Sequence, residues 1–480
     1  MRKFTIATIP AFVLALALSA AAQEKPITTN KENKDTLKAS VSGNVVLDYI
    51  WRSSEITSFN ATAFGPLGVN QDAQNTFEGH LAIRMDVDLN DKVAAVVEFG
   101  TKRVDGGAIL NWGDATADAI QLREARVVVS DFLTQGLKFG AGIADWSFDV
   151  RGKGSAMAFD PRHSQSALRN SGVFEDGAGA LAFRGGATGG AGSGPEEMEP
   201  VGFWLNWTNQ QITLEFVALM AVIEGGAASA DEALYAIDFW YALDNVGKGS
   251  KVGAIIAVGT GPGAHTSVYT FGGGADIKLM DGNLDVYGEF YVQFGEAGRN
   301  ATGENDASGS AFQIGGTYTI PNNNIWFGLN LTYFSGDGDV AGGGDDSVDR
   351  FMGYESISDL MILEDMYFGY DWDANYMAFK FSGGVALSLG AGKDNLRISG
   401  IIGIARTLED VAFGGGVNED ALGTEVDIKA QWVLTKQASL NFAIAFLFGS
   451  DVLEQSMGGA ANPDAEDNAS LFTFGADLRF

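Results

Sequence analysis

Leu471-Phe-Thr-Phe-Gly-Ala-Asp-Leu-Arg-Phe480, the end of the chain, decides how the rest is read. At period two it divides into an apolar face (Phe472, Phe474, Ala476, Leu478, Phe480) and a second face of Thr473, Gly475, Asp477 and Arg479. Alternate residues of a strand point to opposite sides, whereas a helix would spread these charges around its axis. A strand is predicted. Its apolar side requires a packed core or lipid against it, and with Phe480 last, no later segment is expected to cover it.

Composition narrows the choice. A chain of 480 residues that is 46% apolar could fill two or three globular domains. Yet it holds 64 Gly and only 9 Pro, which suits many strands and turns with no central strand broken by proline. The absence of Cys excludes a disulfide framework, a thiolate metal centre and a lipid-modified cysteine. It also suits passage through an oxidising periplasm. A formal charge of −30 excludes the basic face of a nucleic-acid binder. A solvated acidic surface accounts for that charge.

At the other end, Arg2 and Lys3 precede the apolar run Ile9 to Leu18, followed by Ser19-Ala-Ala-Ala22. This is the pattern of a secretory signal peptide, residues 1–22, cleaved after Ala22. Its apolar run is too short for a comfortable transmembrane helix, and no later run approaches the roughly twenty residues one needs. Any membrane crossing is therefore expected through a closed barrel, since open sheet edges cannot face lipid. Residues 23–38 read as a polar lead-in and 39–480 as the barrel.

The alternation recurs along the chain. In 77–89, Phe77, Leu81, Ile83, Met85 and Val87 oppose Glu78, His80, Arg84, Asp86 and Asp88. In 283–294, Val286, Phe290, Val292 and Phe294 oppose Asp285, Tyr287, Glu289 and Tyr291. Hairpins are predicted at 118–130 with 136–145, 309–320 with 325–334, 376–389 with 396–406, and 424–434 with 438–449. These strands exceed the five or six residues usual in a soluble sandwich and can cross an apolar band of about 25 Å when tilted. Aromatic pairs near their ends (Tyr49 with Trp51, Trp146 with Phe148, Trp240 with Tyr241, Tyr333 with Phe334) suggest interfacial girdles.

The fold class predicted is all-β, an antiparallel up-and-down transmembrane barrel. A unit of roughly 25 residues per strand and connection gives about eighteen strands, within sixteen to twenty, and parity demands an even number. A strand-by-strand count gives about nineteen, the conflict lying at 173–210. Long connections, expected outside the cell, fall at 52–75, 104–117, 146–172, 295–308, 336–374, 407–421 and 450–469. On the clearer strands, inward-facing acids are nearly matched by bases. Arg84, Asp86, Glu98, Arg126, Glu289, Lys380, Arg397 and Lys429 are the lumen-facing candidates.

One connection stands apart. In an otherwise acidic chain, Arg151, Lys153, Arg162, His163 and Arg169 gather near Asp149 and Asp160 within 146–172. A mixed-charge pore constriction is the functional reading, because rings of charge set selectivity in channels. An ordinary surface loop is the alternative. Gly336-Asp-Gly-Asp339 lacks the spacing of a calcium loop, and no metal or other cofactor is expected. With only His80, His163 and His265, and no Ser-bearing elbow, no catalytic constellation is present. The Gly-rich runs lack the Lys-Ser of a phosphate loop.

Taken together, signal peptide, alternating strands, acidic loops and terminal Phe480 resemble a Gram-negative outer-membrane porin across the whole mature chain. Leu122-Arg-Glu-Ala-Arg-Val127, with Leu137-Lys-Phe-Gly-Ala-Gly142 and Phe159-Asp-Pro-Arg162, resembles over about 50 residues the alginate-export-type and related eighteen-stranded group. The resemblance implies a water-filled channel for passive diffusion of small polar or charged solutes. It implies that the third long loop, here 146–172, folds inward, and that Phe480 is the assembly signal read by the barrel-assembly machinery. Outer-membrane lipid and lipopolysaccharide are the implied surroundings, homotrimers being common in the family. A sugar- or polysaccharide-selective channel, whose lumen would carry aromatic rungs begun by Tyr287 and Tyr291, is one alternative. A plugged structural or adhesive barrel is another.

Overall fold

The structure is a computed structural model. It describes residues 38–54, 74–101, 120–143, 201–221, 232–260, 266–299, 304–321, 323–336, 347–348, 351, 359–364, 375–389, 395–413, 417–449 and 468–480. Eighteen of its strands form the barrel wall. They are β1 (Lys38–Ser54), β2 (Gln74–Asp88), β3 (Val93–Thr101), β4 (Ile120–Val129), β5 (Leu137–Ile143) and β6 (Val201–Thr208). Next come β7 (Ile212–Ala221), β8 (Glu232–Ala242), β9 (Lys251–Thr260), β10 (Thr266–Leu279), β11 (Leu284–Arg299) and β12 (Ser310–Ile320). The rest are β13 (Ile325–Phe334), β14 (Tyr376–Leu387), β15 (Leu396–Phe413), β16 (Val417–Thr435), β17 (Ala438–Gly449) and β18 (Ala469–Arg479).

Each strand pairs antiparallel with its chain neighbours, and β18 returns to pair with β1, so no edge is left open. The terminal stretch that predicts a strand is the strand that closes the ring. Its ladder runs past the last residue of β18: the Phe480 amide donates to the Gly43 carbonyl at 3.0 Å and the Gly43 amide donates to the Phe480 carbonyl at 2.9 Å. The Phe480 ring then lies over Gly43, where a Cβ would meet the ring at 2.5 Å. Glycine at 43 makes room for that terminal aromatic.

The alternation has a physical destination. Phe290, Phe294, Ile314, Leu329, Phe379, Ile404 and Ile428 are exposed on the outside. Between them Glu289, Gln293, Gln313, Thr332, Lys380, Glu425 and Asp427 are buried on the inside. Water could not leave such a belt uncovered at this size, so the outer face is matched to lipid. Among the described residues no helix is long and apolar enough to cross a membrane.

Tight turns gather at the end that carries Lys38 and Phe480. The side-chain Oδ1 of Asn90 accepts from the Lys92 and Val93 amides, and Oδ1 of Asn209 does the same for Gln211 and Ile212. These side chains stand in for backbone turn partners and fix the hairpin register. The longer connections lie at the opposite end.

Three expectations change. Residues 407–421 belong mostly to β15 and β16, which rise past the neighbouring strands and are tied by an Arg406–Asp420 ion pair. The span 295–308 contributes the end of β11 and a short strand, Glu304–Ala307, that pairs with Ser347–Val348. The aromatic girdle is also smaller than predicted. Trp240 donates to the inward Asp238 at 3.2 Å, and Phe334 is buried against Phe351 and Tyr376. In the disputed 173–210 region, β6 is one strand and residues 173–200 lie outside the described ones.

Candidate functional site

The connection from β13 to β14 does not stay outside. Its residues Asp359-Leu-Met-Ile-Leu-Glu364 sit within the barrel, with Leu360 to Glu364 buried. The apolar quartet explains why: four consecutive large apolar residues in an acidic loop favour removal from water by roughly 1.5–3 kcal/mol for each side chain fully buried. Leu360 lies on Gly403 of β15, where a Cβ would stand 2.5 Å from its Cδ1. A bare strip of β-wall is the seat.

Polar groups then fix the segment. Five successive amides point at carboxylates. The Ile362 and Leu363 amides donate to Oε1 and Oε2 of Glu425 at 2.7 and 2.8 Å, and Met361 donates to Oδ2 of Asp427 at 3.0 Å. The Asp359 and Leu360 amides both donate to Oε2 of Glu364 at 3.0 Å. A turn with consecutive N–H groups on one side is an anion-binding concavity, and here its anions are wall residues of β16 and the segment's own Glu364.

Cationic and phenolic donors complete the cluster. Lys380 of β14, only 1% exposed at its side chain, contacts Glu364 at 2.6 Å and Asp359 at 2.9 Å. The Tyr376 hydroxyl donates to Oε1 of Glu364 at 2.8 Å, and Lys429 donates to the Asp359 carbonyl at 3.4 Å. Losing one partner of such a buried pair would leave an uncompensated charge. The segment is latched.

A second anchor sits on the same loop. Phe351 packs on Phe334 with ring centroids 5.7 Å apart and on Tyr291 at 6.4 Å, while its amide donates to the Ser335 carbonyl at 3.1 Å. Together the two anchors hold the loop against the inner wall of β11 and β13–β16.

With this geometry in place, comparison with solved structures is informative. Pseudomonas aeruginosa OccK9 (OpdG) aligns with a TM-score of 0.54 at 13% identity, over 92% of this chain and 98% of that one. Acinetobacter baumannii OccAB4 aligns at 0.52 and 10% identity, over 94% and 100%. P. aeruginosa OpdQ aligns at 0.51 and 11% identity, over 92% and 97%. The fold is that of the eighteen-stranded outer-membrane channels. No protein-family model and no curated protein sequence matches the chain.

Within that eighteen-stranded channel fold, the residues singled out from sequence are distributed unevenly. Arg84, Asp86, Glu98 and Arg126 meet on β2–β4. Arg84 lies 2.7 Å from Glu124, 3.1 Å from Asp86 and 3.7 Å from Glu98, and Arg126 lies 2.6 Å from Glu124. Glu289 accepts from the Tyr291 hydroxyl at 3.2 Å on the far wall. Lys380 and Lys429 join the latch, while Arg397 is exposed near the turn end of β15. Arg151, Lys153, Asp160, Arg162, His163 and Arg169 lie outside the described residues.

The alternation of the sequence places Asp359–Glu364 in an extracellular connection; it turns Glu425 and Asp427 toward the lumen, but joins neither them nor Tyr376 to that segment. One signal is present: Leu360 to Leu363 is an apolar run with no strand period, set in an acidic loop, and needs burial somewhere.

Proposed function

We propose that the protein is an outer-membrane porin: a water-filled channel for passive diffusion of small polar or charged solutes, narrowed from one side by the latched segment Asp359–Glu364. The observation that carries this reading is a closed barrel with an apolar outer face and a polar inner one, against whose inner wall a loop segment is docked. At the level of the latch, permeation is then confined to the β1–β9 side, the wall on which Arg84 and Arg126 alternate with Glu98 and Glu124. Paired charges of both signs along a path slow neutral solutes little and give ions alternating sites. The structural neighbours named above, being outer-membrane channels, support the same reading.

The location follows from it. An exported chain whose strands cross lipid belongs in the outer membrane of a Gram-negative bacterium, with the tight turns periplasmic, the long loops outside and lipopolysaccharide around them. Phe480 is the assembly signal, and homotrimer formation remains part of the proposal. The basic loop 146–172 supplies a second constriction. No catalytic role is assigned.

Planar-bilayer recording of the purified full-length protein tests the reading. Discrete single-channel steps are expected; a barrel that inserts yet carries no current would favour the plugged structural or adhesive alternative.

A further inference from the structure

Below the latch, toward the tight-turn end, the wall opens into a cavity of about 210 Å³. Asp359 of the latch roofs it, and Tyr287, Trp326, Ser382, Ser399 and Lys429 line its sides. Its shape depends on glycines. The Trp326 indole lies across Gly384, where a Cβ would meet Nε1 at 2.6 Å and Cε2 at 2.8 Å. Tyr287 lies in the same way over Gly315, where a Cβ would meet its hydroxyl at 2.5 Å, and that hydroxyl accepts from the Asn330 side-chain amide at 2.9 Å. Both aromatic residues are thus laid down along the wall of a polar recess, instead of standing into a core.

The chemistry of the lining points to one ligand class. The charged groups are balanced and already engaged: Lys380 with Asp359 and Glu364, Lys429 with the Asp359 carbonyl, and Asp427 with the Met361 amide. An ionic ligand would have to break those contacts. A neutral polyol would not, because each hydroxyl both donates and accepts and binds well beside charged groups of either sign. A ring sugar adds a face of C–H groups that matches the electron-rich face of an indole. Small pockets with one apolar wall and a few convergent polar groups fix ligand orientation in this way.

We propose that this cavity is a saccharide subsite on the permeation path, with Trp326 as the stacking platform for a neutral pyranose ring and Ser382, Ser399 and Lys429 as hydrogen-bonding partners. The proposal rests on the channel reading and gives it a substrate class.

The test uses the full-length protein in planar bilayers, with maltose, sorbitol and glycine added in turn. Maltose should interrupt the current saturably; sorbitol, an acyclic polyol, and glycine, a zwitterion, should not. Trp326→Ala should weaken the maltose effect about tenfold, the scale of one lost aromatic contact, and Trp326→Phe should weaken it less. Ser399→Ala, which removes a hydroxyl without altering the platform, should weaken it as well and carries the test if Trp326→Ala fails to assemble. A conducting channel with no saturable response to maltose would overturn the subsite and leave the channel intact. So would equal block by sorbitol or glycine, or a maltose response unchanged in the variants. Absence of any current would instead sink the channel reading beneath it.

Discussion

Single side chains decide whether the loop stays in the barrel. Glu425 accepts two backbone amides through its two oxygens, and each buried amide left without its acceptor costs about 1–3 kcal/mol. Glu425→Ala should therefore release the segment, raising single-channel conductance and its fluctuation. Glu425→Gln, which keeps one acceptor oxygen, should fall between. Lys380→Met acts differently, since it leaves the buried Glu364, and the half-exposed Asp359 beside it, without their cation. A loss of about 3–5 kcal/mol is expected, read as a lower temperature at which the folded barrel loses its compact electrophoretic mobility. An unchanged temperature would show that the cluster stabilises nothing. At this scale the sequence was only half legible. Lys380 and Lys429 are placed inward by period two alone, but their partners lie more than ten residues away, and nothing in the alternation says that Asp359 and Glu364 will come back to meet them.

Strands and loops differ in how openly they announce themselves. The hairpin at 309–320 with 325–334, strand 376–389 and the start of its partner at 396 were legible nearly to the residue, because a period-two pattern between water and lipid has no other stable arrangement. The closing strand was legible for the same reason. Its pairing adds a detail, the Phe480 ring seated over Gly43. Phe480→Ser should lower the yield of folded barrel while leaving single-channel conductance unchanged, and a normal folded yield would remove the terminal residue from its assigned role. Where strands outgrow the membrane the pattern fades. In 407–421 the sequence keeps no clean period of two, so the extension of β15 and β16 could not be read. The inward turn of the β13–β14 connection was hidden by a different cause: its seat is a glycine, Gly403, which contributes no pattern at all. Gly403→Val should push Leu360 off the wall and raise conductance as Glu425→Ala does, though every hydrogen-bonding group remains. A channel indistinguishable from wild type would mean that the Leu360 contact does not hold the segment.

At the scale of the whole molecule, the barrel is a rigid ring and the β13–β14 loop, held by the latch and by Phe351, is a described part folded into its bore. A wall of eighteen strands joined edge to edge has no open seam, so its diameter is set by strand number and tilt, and cannot adapt to a solute. What can change the bore is the loop. The docked segment holds its place through contacts with three strands, β14, β15 and β16, all on one side, so removing it should widen the channel without unsettling the opposite wall. Replacing Asp359–Glu364 by Gly-Ser repeats of equal length keeps the connection intact and deletes both the apolar quartet and its two flanking carboxylates. The barrel should still assemble, because its ladder uses none of these residues. Its conductance should rise, and polyethylene glycols too large to enter the wild-type channel should now depress the current. If the polymer cut-off stays where it was, the narrowest point lies elsewhere along the bore, and the loop 146–172 with its basic cluster becomes the segment to replace next.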